Sequence, residues 1–353
     1  MPSRIQVRLV TAGDGRARDP REAIVITPPL ATPDITALVA DATAAPSLHN
    51  AQPWRFHYRR DSGILRLYAD LERALPHTDP DNRGLYLGCG AALLNLRVAA
   101  AAAGRDPVVR LLPDPADPAL LAELGLGGPA RPDEALAALR PAIRRRHSSR
   151  HPYREEEIPG VLKDRLREAA RAEGAELLFP GPWHVALLLE LVGDAEGREA
   201  VDPGVRGETA RWTRTEPTGG AEASDGIPAE ALGPRSRRTA AGVRDFAAGR
   251  AVPGRSWAAF ERHPQIALLG TAHDRPVDWL CAGQALERVL LRATTDGLVA
   301  SLTSQPLEWG ALRWAVRDPV SAMAHVQMVI RLGYGPEGRP SPRRPVADVL
   351  DVV

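Results

Sequence analysis

The chain has 353 residues, 44% of them hydrophobic, and its 45 basic and 44 acidic side chains leave a net charge of +1. That length and apolar content support two domains or one large fused one and exclude global disorder. The charge balance excludes a general nucleic-acid or membrane-surface role, which needs a basic excess on one face.

Lys163 is the one lysine. Arginine stands almost everywhere else, so an arginine cluster by itself is a weak sign of a site. Cys89 and Cys281 make neither a metal-binding spacing nor a disulfide framework, and small apolar surroundings mark them as inert core thiols. No apolar run reaches the roughly 18 residues of a bilayer span. The opening MPSRIQVRLVTAG lacks the apolar core of a signal peptide, which points to the reducing cytoplasm.

Residues 1–29 read as an N-terminal extension. A helix is predicted over 34–45, capped by Thr32 or Asp34 with Pro33 beside it. A hairpin follows, with strands at 54–60 and 64–71 around a DSG turn at 61–63. Residues 87–104 (LGCGAALLNLRVAAAAAG) and 280–297 (LCAGQALERVLLRATTDG) then align without gaps. Leu87, Gly90, Ala92, Leu93, Ala100 and Gly104 match Leu280, Gly283, Ala285, Leu286, Ala293 and Gly297. Upstream, Asp81 matches Asp274 and Tyr86 faces Trp279. Both segments are small and aliphatic nearly all round, as a buried helix is. Gly104 and Gly297 sit where a C-terminal glycine cap belongs, and each precedes a β-branched stretch (Val108–Val109, Leu298–Val299) that reads as a strand.

Two such copies imply two similar halves around a pseudo-twofold axis, a fused dimer. The first half spans 30–128 and the second 129–353. Gly125-Leu126-Gly127-Gly128 reads as a loop, because Pro129 follows and the acidic residue of a dinucleotide fingerprint is missing. Residues 129–140 form a Pro-bounded, Ala-rich connection. A helix near 160–173, a strand at 175–179 and a helix at 183–197 open the second half, and the last strand covers 325–335. Residues 196–256 lack any regular apolar period, the mark of a disordered insert or a lid. Trp212, Ile227, Leu232, Phe246 and Trp257 are more apolar anchors than a linker needs and point to the lid. Helices mixed with strands and a hairpin make the fold α+β.

Three polar segments stand out. In Ala45-Pro46-Ser47-Leu48-His49-Asn50-Ala51-Gln52-Pro53-Trp54 two prolines fix a short turn, so Ser47, Asn50 and Gln52 are held in set directions. Such a turn addresses the edge of a planar heteroaromatic ring, or it merely satisfies its own backbone between helix and strand. Arg144-Arg145-Arg146-His147-Ser148-Ser149-Arg150 offers charged and neutral donors to a phosphate, or is a solvated basic turn. Ser341-Pro342-Arg343-Arg344-Pro345 is a second basic turn.

In combination the three segments resemble the nitroreductase superfamily of FMN proteins. PSLHNAQPW is similar to that family's Pro-Ser-x-x-Asn-x-Gln-Pro-Trp turn, RHSSR to its phosphate motif, and LGYG followed by SPRRP to its terminal strand and closing turn. The order of the pieces, with DGIPAEALGP at 225–234, resembles the Acg-like branch, whose two nitroreductase-like halves are joined in one chain. The resemblance covers roughly residues 30–350. It implies a nitroreductase-like fold with one FMN per chain, since AEGAELLFP (172–180) lacks the polar turn and GRARDPREAIVITPPL (15–30) lacks RHSSR.

By the same resemblance Arg146, His147, Ser148 and Arg150 hold the phosphate and ribityl chain, with Arg343 or Arg344 closing on the phosphate. Pro46, Ser47 and Asn50 reach the ring from the other half. Leu302, Thr303 and Ser304 lie where the family's backbone faces the redox edge, although this sequence departs from the family's Pro-hydrophobic-Glu-Gly pattern there. No catalytic side chain is singled out, because a flavin carries the chemistry, and neutral surface histidines are the reading of His49 and His147. The implied activity is electron transfer from NAD(P)H to a small planar acceptor such as a nitroaromatic or quinone, by a monomer acting as a pseudo-dimer. The alternative is an FMN-sequestering stress protein with little turnover. No metal, nucleic-acid or membrane partner is implied.

Overall fold

The computed structural model describes residues 30–126, 133–215, 223–236, 243–321 and 323–353. The N-terminal extension, Gly127, Gly128, the start of the connection at 129–140 and parts of the predicted lid (216–222 and 237–242) lie outside the described residues. In chain order come α1 (Thr32–Ala42), β1 (Trp54–Arg59), β2 (Ile64–Ala69), α2 (Arg83–Ala102), β3 (Val108–Leu111) and β4 (Leu120–Gly125). Short α3 (Glu134–Ala137) and α4 (Arg140–Ile143) lead to α5 (Gly160–Arg171), β5 (Glu176–Leu178), α6 (Pro182–Val201) and α7 (Pro203–Arg211). The two-residue strands β6 (Arg235–Ser236) and β7 (Trp257–Ala258) precede β8 (Gln265–Thr271) and α8 (Pro276–Thr295). The chain closes with β9 (Val299–Thr303), single-turn α9 (Gln305–Glu308) and α10 (Gly310–Arg313), β10 (His325–Gly333) and β11 (Leu350–Val352).

The repeat is the spine of the molecule. Its two copies are α2 and α8, which pack along one another. They cross at the matched glycines: a Cβ on Gly90 would lie 2.3 Å from the Leu280 carbonyl oxygen, and one on Gly283 would lie 2.2 Å from that of Leu87. Leu87 and Leu280 are themselves matched, so each contact is answered by its mirror, the signature of twofold packing. Tyr86 and Trp279, also matched, meet edge to face at 5.6 Å between ring centroids. Gly104 and Gly297 end their helices at φ 72° and 78°, a left-handed conformation that glycine takes without strain.

By length and composition α2 is apolar enough to cross a membrane, which corrects the expectation that no segment is. However, 89% of its most apolar window is buried inside the protein, as befits the central core helix.

Each half adds a sheet. The first has the order β11-β1-β2-β4-β3 and the second β5-β8-β10-β9. The hairpin lies where alternation placed it, with Arg59 opposite Ile64 and Gly63 at φ 66° in the turn. Trp54, Phe56 and Tyr58 point inward from β1 and join Leu65, Leu67, Leu93 and Leu96 in the first core. Ala282, Ala285, Val289 and Ala293 of α8 pack with Leu166, Leu269 and Ile330 in the second.

Several boundaries differ from expectation. Helix α1 begins at Thr32 with Ala31 as its cap residue, so neither Thr32 nor Asp34 caps it. Proline is at home in a first turn, so Pro33 carries Thr32 into the helix; at the other end Pro46 disfavours helical backbone at Ala45. Gly125 is the last residue of β4 and not a loop residue. Helix α6 runs on to Val201 and α7 follows directly, so the first part of the predicted lid is regular helix. The last strand, β11, pairs in parallel with β1, Phe56 opposite Leu350. Residues 350–352, grouped by sequence with the second half, therefore complete the first sheet.

Candidate functional site

The turn after α1 is the most strained stretch of backbone among the described residues. His49, Asn50 and Gln52 have φ of 51°, 55° and 54°, in the left-handed region that non-glycine residues rarely adopt. The strain is held by an internal network. The Gln52 N–H donates to Ser47 Oγ at 2.9 Å, and the Arg344 N–H donates to Gln52 Oε1 at 2.9 Å. Asn50 is fully engaged: its amide donates to the carbonyls of Gly226 (2.8 Å) and Pro342 (3.0 Å), and its oxygen accepts from Arg343 (2.9 Å). Overdetermined strain of this kind collects at ligand sites.

The RHSSR segment is pinned from two sides. The Ser149 N–H donates to Ala300 on β9 at 2.8 Å, and Ser149 Oγ donates to Pro336 at 2.7 Å. A Cβ on Gly338 would fall 2.3 Å from the Ser148 carbonyl oxygen, so the tail can pass this close only as glycine.

These segments converge on one cavity. Its wall includes Pro46, Ser47, His49 and Asn50 from the first half, and Arg146, His147, Ser148 and Arg150 from the second. Leu302 and Ser304 from the end of β9, and Ser341 and Arg343 from the tail, complete that part of the wall. Two expected residues stand elsewhere. Thr303 is buried and does not line the cavity, because side chains alternate along β9. Arg344 turns away to Asp70 (3.2 Å) and Gln52, which leaves Arg343 as the tail's arginine at the site.

The electrostatics favour an anion. Arg343 is half-buried with carbonyl-type partners only: the backbone oxygens of Ala44, Ala45, Ser341 and Pro342, and the Asn50 side chain. Its Nε is unpartnered. Burial first, and then the Arg146 charge, pull its pKa down to about 9. Arg146 is buried and donates to the Ala44 carbonyl at 3.0 Å. Its Nε faces Glu287 of α8 at 3.3 Å, and burial pushes that carboxyl up to about 7 despite the arginine. Two guanidiniums, one buried and one half-buried, thus have a single reluctant acid near them, an arrangement that a bound phosphate would neutralise. His147 beside them is half-buried and held below its ordinary pKa by burial and by both arginines.

The segment predicted as a lid closes part of the cavity with Ile227 and Phe246. Phe246 sits between the guanidiniums of Arg150 and Arg244, 5.0 and 5.1 Å from its ring centroid, and meets the His49 ring edge-on at 5.4 Å. Arg150 donates to the Ala231 carbonyl at 2.9 Å, so its charged group is held by this segment. His49 is buried, not a surface residue as expected. Desolvation, then Arg244 and Arg150, keep it neutral by pulling its pKa well below the usual value. Both its ring nitrogens lack partners. Sequence reading placed Phe246 among the anchors of the lid but missed the polar end of the cavity at Thr78, Asp79, Arg83, Glu308 and Arg313. The signal available for the latter was the Asn82-Arg83-Gly84 step just before the first buried helix.

No protein-family model matches the chain. Among curated proteins it is 34% identical to "Putative NAD(P)H nitroreductase Rv3131" of Mycobacterium tuberculosis, over 88% of this chain and 89% of that one. It is 31% identical to the acg protein of the same organism, which carries the same description, over 90% of this chain and 95% of that one. The chain belongs to the nitroreductase family. Solved structures that align with part of it include a Bacteroides fragilis nitroreductase with bound FMN (15% identity, TM-score 0.34, covering 58% of this chain and 92% of that one). Another is the FMN and NADPH-dependent nitroreductase NfnB of a Sphigopyxis strain (17% identity, TM-score 0.36, covering 60% and 97%).

Proposed function

We propose that this chain is an FMN-dependent oxidoreductase that takes electrons from NAD(P)H and passes them to a small planar acceptor such as a nitroaromatic or quinone. The observation that carries the reading is the meeting of the Ser47–Asn50 turn of one half with Arg146, Ser148 and Arg343 of the other on a single cavity. The donor set fits FMN. Arg146 and Arg343 would hold its phosphate, and the unpartnered Nε of Arg343 marks where an anion is wanted. Ser148 would reach the ribityl chain, and Pro46, Ser47 and the Leu302–Ser304 backbone would frame the ring. FMN supplies the hydride chemistry when bound. The protein positions it, and Leu87, Leu286, Leu302, Leu307 and Met328 keep water from the middle of the cavity. One site per chain follows, with the monomer as a pseudo-dimer.

Phe246 and Ile227 favour a second reading, FMN sequestration with little turnover, because they stand over the same cavity. Anaerobic titration of the yellow protein with NADPH and NADH, followed by oxygen, separates the two. Bleaching and reoxidation support the oxidoreductase, whereas a flavin inert to both nucleotides supports sequestration. A stoichiometry near two per chain, or extracted FAD, refutes the composite site.

A further inference from the structure

The cavity has an exposed rim near the start of α2. Pro80, Asp81 and Gly310 on the wall are exposed, and Arg83 stands just inside them. Arg83, Gly84, Leu87 and Gly88 line the wall along one face of α2, so the cavity follows that helix inward. Asn95, which faces the Glu287 beside Arg146, comes more than three turns later, about 18 Å along the axis at 1.5 Å per residue. The cavity therefore has a cationic end at Arg146 and Arg343, an apolar middle, and a separate arginine at the rim near the start of α2.

Arg83 is 6% exposed, and no carboxylate among the described residues comes within ion-pairing distance of it. Its Nη1 donates to the Gln327 carbonyl oxygen at 2.5 Å; Gln327 Oε1 is a distant 3.4 Å. The acids nearby are engaged elsewhere. Both oxygens of Asp79 accept the first N–H groups of α2, from Gly84 and Leu85 at 2.9 Å each. Asp274 is held two-pronged by Arg313 at 2.7 and 2.8 Å. Glu308 accepts from Arg244 at 2.8 Å and from Ser304 at 2.7 Å through Oε1, while its Oε2 is unpartnered but beyond ion-pairing distance of Arg83.

A second, independent donor points the same way. Thr78 Oγ1 is buried on the same wall and has no partner. Leaving a buried cation unpaired and a buried hydroxyl unsatisfied is unfavourable unless a ligand completes them.

We infer that Arg83 and Thr78 form an anion subsite that takes the carboxylate of a planar aromatic ligand whose ring enters the apolar middle of the cavity. The guanidinium fork matches a carboxylate's two oxygens, and the hydroxyl adds a third donor. This deepens the redox reading by naming an aromatic carboxylate as the preferred acceptor class, and rests on that reading only for the fate of the bound molecule.

The test keeps binding and turnover apart. Binding is measured by calorimetry on the FMN-loaded protein with benzoate, which cannot be reduced, and with benzamide, its neutral counterpart. Turnover is followed as reoxidation of dithionite-reduced protein by 4-nitrobenzoate and 4-nitrobenzamide. Wild type should prefer the carboxylate in both. Arg83→Met should lower that preference by roughly tenfold to a hundredfold, as loss of a charged hydrogen bond implies. Arg83→Lys should restore part of it, and Thr78→Val should lower it several-fold. If benzoate binds through Arg83 but 4-nitrobenzoate is not reduced, the subsite stands and the redox reading falls. If wild type shows no preference, or the preference survives in both Arg83→Met and Thr78→Val, the inference is overturned and Arg83 only anchors α2 to β10. Should Arg83→Met fail to fold, Thr78→Val alone decides.

Discussion

Gly90→Ala tests the crossing on which both halves depend. The new methyl would lie 2.3 Å from the Leu280 carbonyl oxygen and 3.0 Å from the Gly283 Cα, both backbone atoms that no rotamer change can move. Reaching ordinary contact requires the helices to part by about 1 Å at the point where they are closest. Overpacking in a core usually costs about 1–3 kcal/mol, and a backbone obstacle puts this case at the upper end, about 3 kcal/mol. In a chain of this size that is a fall in Tm of about 5 °C. Leu87 and Gly88 on α2 and Leu286 on α8 line the cavity, so parting the helices should also loosen cofactor retention.

Gly283→Ala should act equally, since its Cβ would lie 2.2 Å from the Leu87 oxygen. The double variant should cost less than the sum, because one separation accommodates both methyls. Gly193→Ala is the control. Nothing lies within 4 Å of its Cβ, and alanine's higher helix propensity should stabilise α6 by about 0.5–1 kcal/mol. Denaturant melts and FMN release read all four proteins. A Gly90→Ala protein as stable as Gly193→Ala, or strict additivity of the crossing pair, would refute the close twofold contact.

Arg343→Ala or Arg146→Ala should weaken FMN binding roughly tenfold to a hundredfold by equilibrium dialysis. Arg144→Ala should do much less, because that side chain is exposed and pairs with Asp41 at 3.0 Å outside the cavity. The Glu287 carboxyl is raised in the folded state to about 7, so the folded protein holds a proton that the unfolded chain loses near the ordinary value of 4.5. Its contribution is therefore fully present at low pH and lost as pH rises through about 7. FMN affinity should fall over the same range, by up to about tenfold per pH unit for one linked proton, and Glu287→Gln should flatten that profile. Phe246→Ala removes the ring that stands over the cavity, so stopped-flow reoxidation of reduced protein by oxygen should speed up several-fold; an unchanged rate would show that the segment does not shield the flavin.

The repeat was legible because α2 and α8 need small residues all round, and that requirement leaves a readable trace at Gly90 and Gly283. The polar turn and RHSSR were legible as a combination, since each segment alone fits an ordinary connection equally well. What escaped was set by long-range pairing. Strand β8 (QIALLGT) is a short apolar run whose burial comes from β5 and β10 on either side, and β11 is three residues long and acquires meaning only beside β1. Arg344 and Thr303 illustrate the same limit at the site. Neighbours in sequence at a turn or along a strand face opposite ways, and a motif does not say which one looks inward. His49 escaped because its burial depends on Phe246, 197 positions away in the chain.

Chain order alone would leave the arginine of the tail attached to the second half, yet its position is fixed by the first. After β10 leaves the second sheet, Gly338 presses against Ser148, Arg343 binds the Ala44 and Ala45 carbonyls after α1, and β11 then joins β1. The tail thus spans the pseudo-interface and ends as an edge strand of the opposite sheet. Both cavity arginines also meet at Ala44, whose carbonyl accepts from Arg146 and Arg343 at 3.0 Å each. The end of the cavity proposed to hold the phosphate is therefore assembled only when RHSSR, the α1 turn and the tail are all in place. An isolated half cannot build it, since Arg146 and Arg343 belong to one half and the carbonyls that aim them belong to the other. That interdependence is a physical reason for the two halves to be covalently joined: the linkage keeps at high effective concentration the pieces that a separate dimer would have to collect.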